Sequence, residues 1–326
     1  MTARVLVLAL CLAVLWGARG AEPHLAIVGG LGGEDYYSDL FHRWVETLDE
    51  VATQRLGIAP EHLIRLEEDP SQAADAGADV SRKENVLGAI RRLAETSAPG
   101  DVIALVLLGH GTARGDRALF NLPGPDLSAT ELAGALDALA GRTVVVVVAA
   151  PASAPFVAAL SGADRIIITA TATAAENQHT RFGGHFVDAL AEDAADSDKD
   201  RRVSMLEAFR YATAEVARAF ETERRLRTEH AMLDDDGDGA GSRDPGTGGG
   251  DGSLAARVHL AAPAHRPDTA AGREALALEI EARRLVDRIE ALKREKRTME
   301  SADYLQRLES LFIELALNRR AYREIE

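Results

Sequence analysis

Three groups of residues in this sequence carry chemistry. The first is His110, set between Gly109 and Gly111 at the end of the apolar run Val102–Leu108. A histidine on a glycine-flanked turn leaves room for another backbone to approach, and its near-neutral pKa suits general-base work. The second is the acidic run 196–207, where Asp196, Asp198, Asp200, Ser204 and Glu207 fall at positions 1, 3, 5, 9 and 12 of an EF-hand calcium loop. Arg202 stands at its position 7, which lends a backbone carbonyl. Oxygen donors at alternate positions bend around a hard cation, here Ca2+, and the glutamate closes the shell from the following helix. Arg201 replaces the glycine of the sharp turn, at a cost of about 1 kcal/mol for positive φ; the alternative reading is a solvated acidic loop. The third group, Asp234, Asp236 and Asp238, has Gly239 at the turn position but Pro245 where the closing glutamate belongs. It reads as a weaker, partly built second site.

These groups need elements to hold them. Val102–Leu108 is rich in branched residues and short, the pattern of a strand buried on both faces of a parallel sheet, whose C-terminal edge is where such sheets place ligands. Thr143–Ala150, with five consecutive valines, is a second strand of this kind. Further strands are expected at His24–Val28, His62–Leu66 and Ile166–Ala170. Helices are expected at Tyr37–Leu56, Arg82–Thr96, Ala129–Ala140, His179–Ala191 and Glu207–Arg225. Ser128 and Glu131 have the spacing of a capping box for the third of these helices. The glycine-rich stretch 29–33 invites a dinucleotide reading, but Asp35 stands where the third small residue of G-x-G-x-x-G belongs. The fold class is α/β: a mostly parallel sheet with helices on both faces, followed by a C-terminal helical hairpin or coiled coil.

Composition sets the outer limits. Residues 1–20 hold one charge at Arg4, an apolar run and a small-residue site after Ala18-Arg19-Gly20, the pattern of a secretory signal peptide. The mature chain is therefore expected in the periplasm or outside the cell, with no membrane span. Cys11 is the only cysteine, so an exported chain lacks disulfides, thiolate metal ligands and cysteine nucleophiles. A net charge of −15 argues against nucleic acid as a partner. The expected organisation is an α/β domain over residues 21–225, an acidic glycine-rich loop with a last short strand over 226–267, and coiled-coil helices over 268–326. In that last segment Leu285, Ile289, Leu292, Lys296 and Met299, then Leu305, Leu308, Phe312, Leu315 and Tyr322, form a heptad seam that could pair within the chain, with a second copy or with a partner helix.

The order LLGHGT, LFNLPGPDLSATELAGAL, VVVVVAAPASAPFVAALSG and RIIITATATAAENQHTRFGGHF resembles the legumain branch of the caspase-like cysteine peptidases, from about His24 to Phe220. In that family a His-Gly ends one strand and the nucleophilic cysteine ends the next. The resemblance carries His110 over as the dyad histidine and puts Pro151 at the cysteine position and Ala154 at a glycine of the motif. Proline has no nucleophilic atom. The expectation is a catalytically inactive pseudo-peptidase whose cleft binds a peptide or protein ligand, stabilised by Ca2+ and assembled through its C-terminal helices. The alternative is a hydrolase that uses His110 with Ser153 or a bound water, since a serine needs an adjacent base to act. Against it, Ser153 also fits as the N-cap of a helix at Phe156–Leu160. A metal site joining His110 to His179 and His185 matches no ligand spacing and is not expected.

Overall fold

The computed structural model describes residues 21–71, 78–114, 117–246, 250–261, 270–296 and 299–325. The expected signal segment and residues 247–249 and 262–269 of the expected linkers lie outside them. The chain divides into a unit over Glu22–Ala262 and a second containing Pro263–Glu326.

In the first unit, strands β1 (Pro23–Gly29), β2 (Leu63–Glu67), β3 (Asp79–Val80), β4 (Val102–Leu108), β8 (Thr143–Ala149), β9 (Arg165–Thr169) and β10 (Met232–Asp234) form one sheet in the order β10-β9-β8-β4-β1-β2-β3. All neighbours are parallel except β10, which runs antiparallel to β9. Between β4 and β8, β5 (Gly111–Arg114), β6 (Arg117–Phe120) and β7 (Leu127–Ser128) make a small antiparallel sheet. β4, and β8 after Thr143, are apolar throughout because both their faces are covered. Ala104, Val106 and Leu108 with Val145, Val147 and Ala149 face one apolar cluster, and Ile103, Leu105 and Leu107 with Val144, Val146 and Val148 face the other.

Helices supply the layers. α1 (Asp35–Gln54), α5 (Phe182–Ala191) and α6 (Met205–Thr222) bury Leu48, Phe186 and Phe209 in the first cluster. α2 (Lys83–Thr96), α3 (Ala129–Leu136) and α4 (Pro155–Leu160) bury Ile90, Leu132 and Phe156 in the second. At the start of α3 the expected capping box is present, with Glu131 N donating to Ser128 Oγ and Ser128 N donating to the Glu131 carboxylate.

The first unit extends past the boundary expected at residue 225. β10 joins the sheet edge, and Ala255, Val258 and Leu260 are buried in the first cluster. Instead of a strand at Leu254–Leu260, there are turns over 251–257 and a single antiparallel bridge between Ser204 and His259. The segment's apolar residues serve packing rather than a ladder.

In the second unit, α7 (Ala270–Glu295) and α8 (Ser301–Ile325) share a cluster of Leu285, Ile289, Leu292, Tyr304 and Leu311, with Met299, Leu308 and Leu315 packed on it. The α7 half of the expected seam is kept, but that of α8 turns by one residue. Tyr304 and Leu311 face inward, whereas Leu305 and Phe312 are 60% and 48% exposed. Positions 304, 308, 311 and 315 keep the four-three spacing as well as 305, 308, 312 and 315 do, so periodicity alone left both stripes open. Among the described residues no helix is long and apolar enough to cross a membrane.

Candidate functional site

The sheet register assembles a cleft at the C-terminal edge. Leu108 pairs with Ala149 and with Gly29, so the residues that follow these three strands meet there: His110 after β4, Pro151 after β8 and the turn 30–33 after β1. Gly111 is required by close approach, because a Cβ there would lie 2.7 Å from the Pro151 carbonyl oxygen. The glycine turn has a packing cause too: a Cβ on Gly32 would lie 2.3 Å from Ser38 N at the start of α1. The backbone that glycine makes room for is thus the protein's own, which explains this motif without a nucleotide.

Leu31, Tyr37, His110, Thr112, Pro151 and His179 are among the residues lining a cavity of about 360 Å³. His179 arrives on the segment between β9 and α5, three residues before that helix begins. The His110 and His179 rings meet edge to face at 5.9 Å between centroids. Tyr37 stands 4.7 Å from each, and Trp44 lies nearly parallel to His179 at 6.3 Å. Burial lowers the His110 pKa against the pull of Glu34 and Glu68. It pushes His179 down to about 4, helped by His110 and Arg181. Both imidazoles are therefore neutral at neutral pH, the form in which an imidazole accepts a proton.

The other expected residues separate. His185 lies on α5, 3.5 Å from Asp188, and does not line the cavity. Ser153 is 1% exposed, with its hydroxyl 3.1 Å from Thr171 Oγ1 and its amide donating to the same oxygen. Ser153 is not among the residues lining the cavity. It does not cap α4 either; Ala154 occupies the N-cap without a side-chain bond, and Pro155 takes the first turn as expected. Ala152 takes a φ of +53°, a left-handed conformation costly for a non-glycine, and its N–H donates to the Glu176 carbonyl. The chain thus bends sharply just after Pro151. Sequence reading sets His179 beside His110 only within a metal site with His185 that is not expected; the sheet order brings the first two together and leaves His185 apart.

The acidic groups lie on the segments bordering α6 and β10. In loop 196–207, ligand atoms of Asp196, Asp198 and Glu207 lie within 4.8 Å of one another, a set that could hold a metal ion. Arg201 takes the left-handed turn with φ +70°, as its position required. Glu207 is heavily hydrogen-bonded: Oε1 accepts from Ser197 N and Oγ at 2.9 and 2.8 Å, and Oε2 accepts from Ser204 N and Oγ. Burial pushes its pKa up, and the bonds from Ser204 and Ser197 outweigh that and hold it below the usual range. The Ser204 Oγ accepts from Glu207 N, so this pair is also the capping box of α6. Burial and the charge of Asp198 raise Asp200.

The second acidic loop gathers Asp234, Asp236 and Asp251, again within 4.8 Å of one another. Asp251 has no place in the twelve-residue template and carries no signal in the sequence. Asp238, which the template does name, is outside this group, with Oδ1 accepting from Ala240 N at 2.7 Å.

No family model matches the chain, and no curated protein matches it.

Proposed function

We propose that this chain is an exported, non-cleaving relative of the caspase-like peptidases of legumain type, whose cleft binds an extended peptide or protein segment. The observation that carries the reading is Pro151, placed beside His110 at the paired ends of β8 and β4 with no nucleophilic atom to offer. Against a substitute nucleophile, Ser153 is buried, bonds to Thr171 and does not line the cavity. Supporting the binding role, the cavity sets Leu31, Tyr37 and Pro151 beside the polar side chains of His110, Asn121, Asn177 and His179, which could hydrogen-bond a peptide backbone. Ca2+ at Asp196, Asp198 and Glu207 is the cofactor in this reading, because a set of carboxylates is typical of calcium loops. Self-association through α7 and α8 completes it, supported by the exposed stripe at Leu305 and Phe312.

A second reading has one observation in its favour. His179 stands against His110 in the same cavity, so two neutral bases could take a proton from a bound water, as in a hydrolase.

The test is a peptide-library assay on the purified chain and on His110→Ala, with calcium present, together with amide hydrogen exchange. Protection at residues 109–112 and 177–180 without turnover is expected. Turnover that disappears in His110→Ala would overturn the non-cleaving reading in favour of the second.

A further inference from the structure

We propose that Asp234, Asp236 and Asp251 form a divalent-cation site of calcium type, closed by Asp251 from outside the linear loop. This stands apart from the cleft and from loop 196–207. The three carboxylates come from two segments and present ligand atoms within 4.8 Å of one another. An acidic cluster alone shows little, and the decisive residue is Asp234. Its side chain is fully buried; Oδ1 accepts from Gly239 N at 3.2 Å, and Oδ2 has no hydrogen-bond partner among the described residues. The Ser161 hydroxyl lies near enough to ease the charge but makes no hydrogen bond of ordinary geometry. A buried, unpartnered carboxylate oxygen is costly unless a cation meets it, and here two further carboxylates each place an oxygen within 4.8 Å of a carboxylate oxygen of the same residue. An oxygen-only set dominated by carboxylates suits the larger, geometrically tolerant calcium ion over magnesium, which keeps several waters.

The surroundings couple such a site to the fold. Asp235, between two of the acidic residues in sequence, accepts from the amides of Gly252 and Ala255, while its own amide donates to Asp251 Oδ1. The segment that follows Asp251 packs on loop 196–207's exit: Met205 N donates to the Val258 carbonyl and Leu206 N to that of Ala255. A cation bridging Asp234, Asp236 and Asp251 therefore ties β10 to the segment on which α6 begins.

Isothermal titration of the full chain with calcium chloride tests the site, alongside Asp251→Asn, the more exposed Asp236→Asn as a second variant, and Glu207→Gln. Both variants of the second loop should lose one bound equivalent relative to the parent chain, whatever Glu207→Gln does. Calcium should also slow amide exchange at Gly252 and Ala255. A parent chain that binds no calcium, or folded Asp251→Asn and Asp236→Asn proteins that bind as many equivalents as the parent with its affinity, would overturn the site. Failure of loop 196–207 alone would show instead as a Glu207→Gln protein identical to the parent.

Discussion

The two acidic loops solve the same electrostatic problem in opposite ways. Loop 196–207 has the spacing of a calcium template, yet its closing carboxylate is already satisfied: Glu207 accepts from Ser197 and Ser204 and caps α6. Loop 234–251 departs from the template at its end, yet Asp234 holds a buried carboxylate oxygen without a hydrogen-bond partner among the described residues. The turn residues are inverted as well, with Arg201 at φ +70° in the first and Gly239 at φ +77° in the second. Spacing says which oxygens can converge, whereas the hydrogen bonds say which of them are already partnered. The two criteria select different loops.

The largest expected break in this comparison is Asp235→Ala. It removes a buried carboxylate from two amides that would be left unpaired, and urea unfolding should show a loss of about 3 kcal/mol. A loss no larger than that of Ser204→Ala would mean that the Asp235 bonds to Gly252 and Ala255 do not hold the two segments together. Addition of calcium to about 100 times its Kd should raise the stability of the parent chain by about 2.7 kcal/mol through that loop. The same measurement on Asp251→Asn should show that increment gone.

Exchanging turn residues sharpens the contrast with opposite signs. Gly239→Ala should destabilise by about 1 kcal/mol through φ strain alone, since an added Cβ would meet nothing closer than 3.6 Å. Arg201→Gly should stabilise by up to about 1 kcal/mol, because it relieves the same strain in the first loop. Equal signs for the pair would mean that backbone strain is not what separates the loops. Ser204→Ala, a lost N-cap, should cost about 1 kcal/mol in thermal unfolding without calcium.

A control comes from outside both loops. His179 titrates near 4 in the folded chain and near 6.5 when unfolded, so the unfolded state binds the extra proton between those values. Its contribution to stability is present above pH 6.5 and is lost as pH falls toward 4. An imidazole NMR titration of His179 with an ordinary midpoint would remove this contribution.

Much of the frame was legible because it rests on local rules. The apolar runs 102–108 and 143–149, the Ser128–Glu131 box and the placement of His110 at a sheet edge all follow from neighbours in sequence. What stayed hidden depends on distant pairings. β10 is three residues long and ends in Asp234, a residue already claimed by a loop motif. Asp251 meets Asp234 across a glycine-rich stretch that no spacing rule spans. Ser204 and Glu207 were read as metal ligands, and that reading masked their role as a helix cap. His179 reaches His110 only once β9 is placed beside β8 and β8 beside β4.

The antiparallel β10 closes the edge of an otherwise parallel sheet by pairing with β9 across the whole of α5 and α6. A contact with so long an intervening chain forms after the local strand–helix–strand units, since loop closure must come first. Interactions absent from the folding transition state slow unfolding and leave the folding rate nearly unchanged. An ion gripping Asp234 and Asp251 would then act as a brake on the escape of the last strand, lengthening the lifetime of the native chain more than hastening its formation.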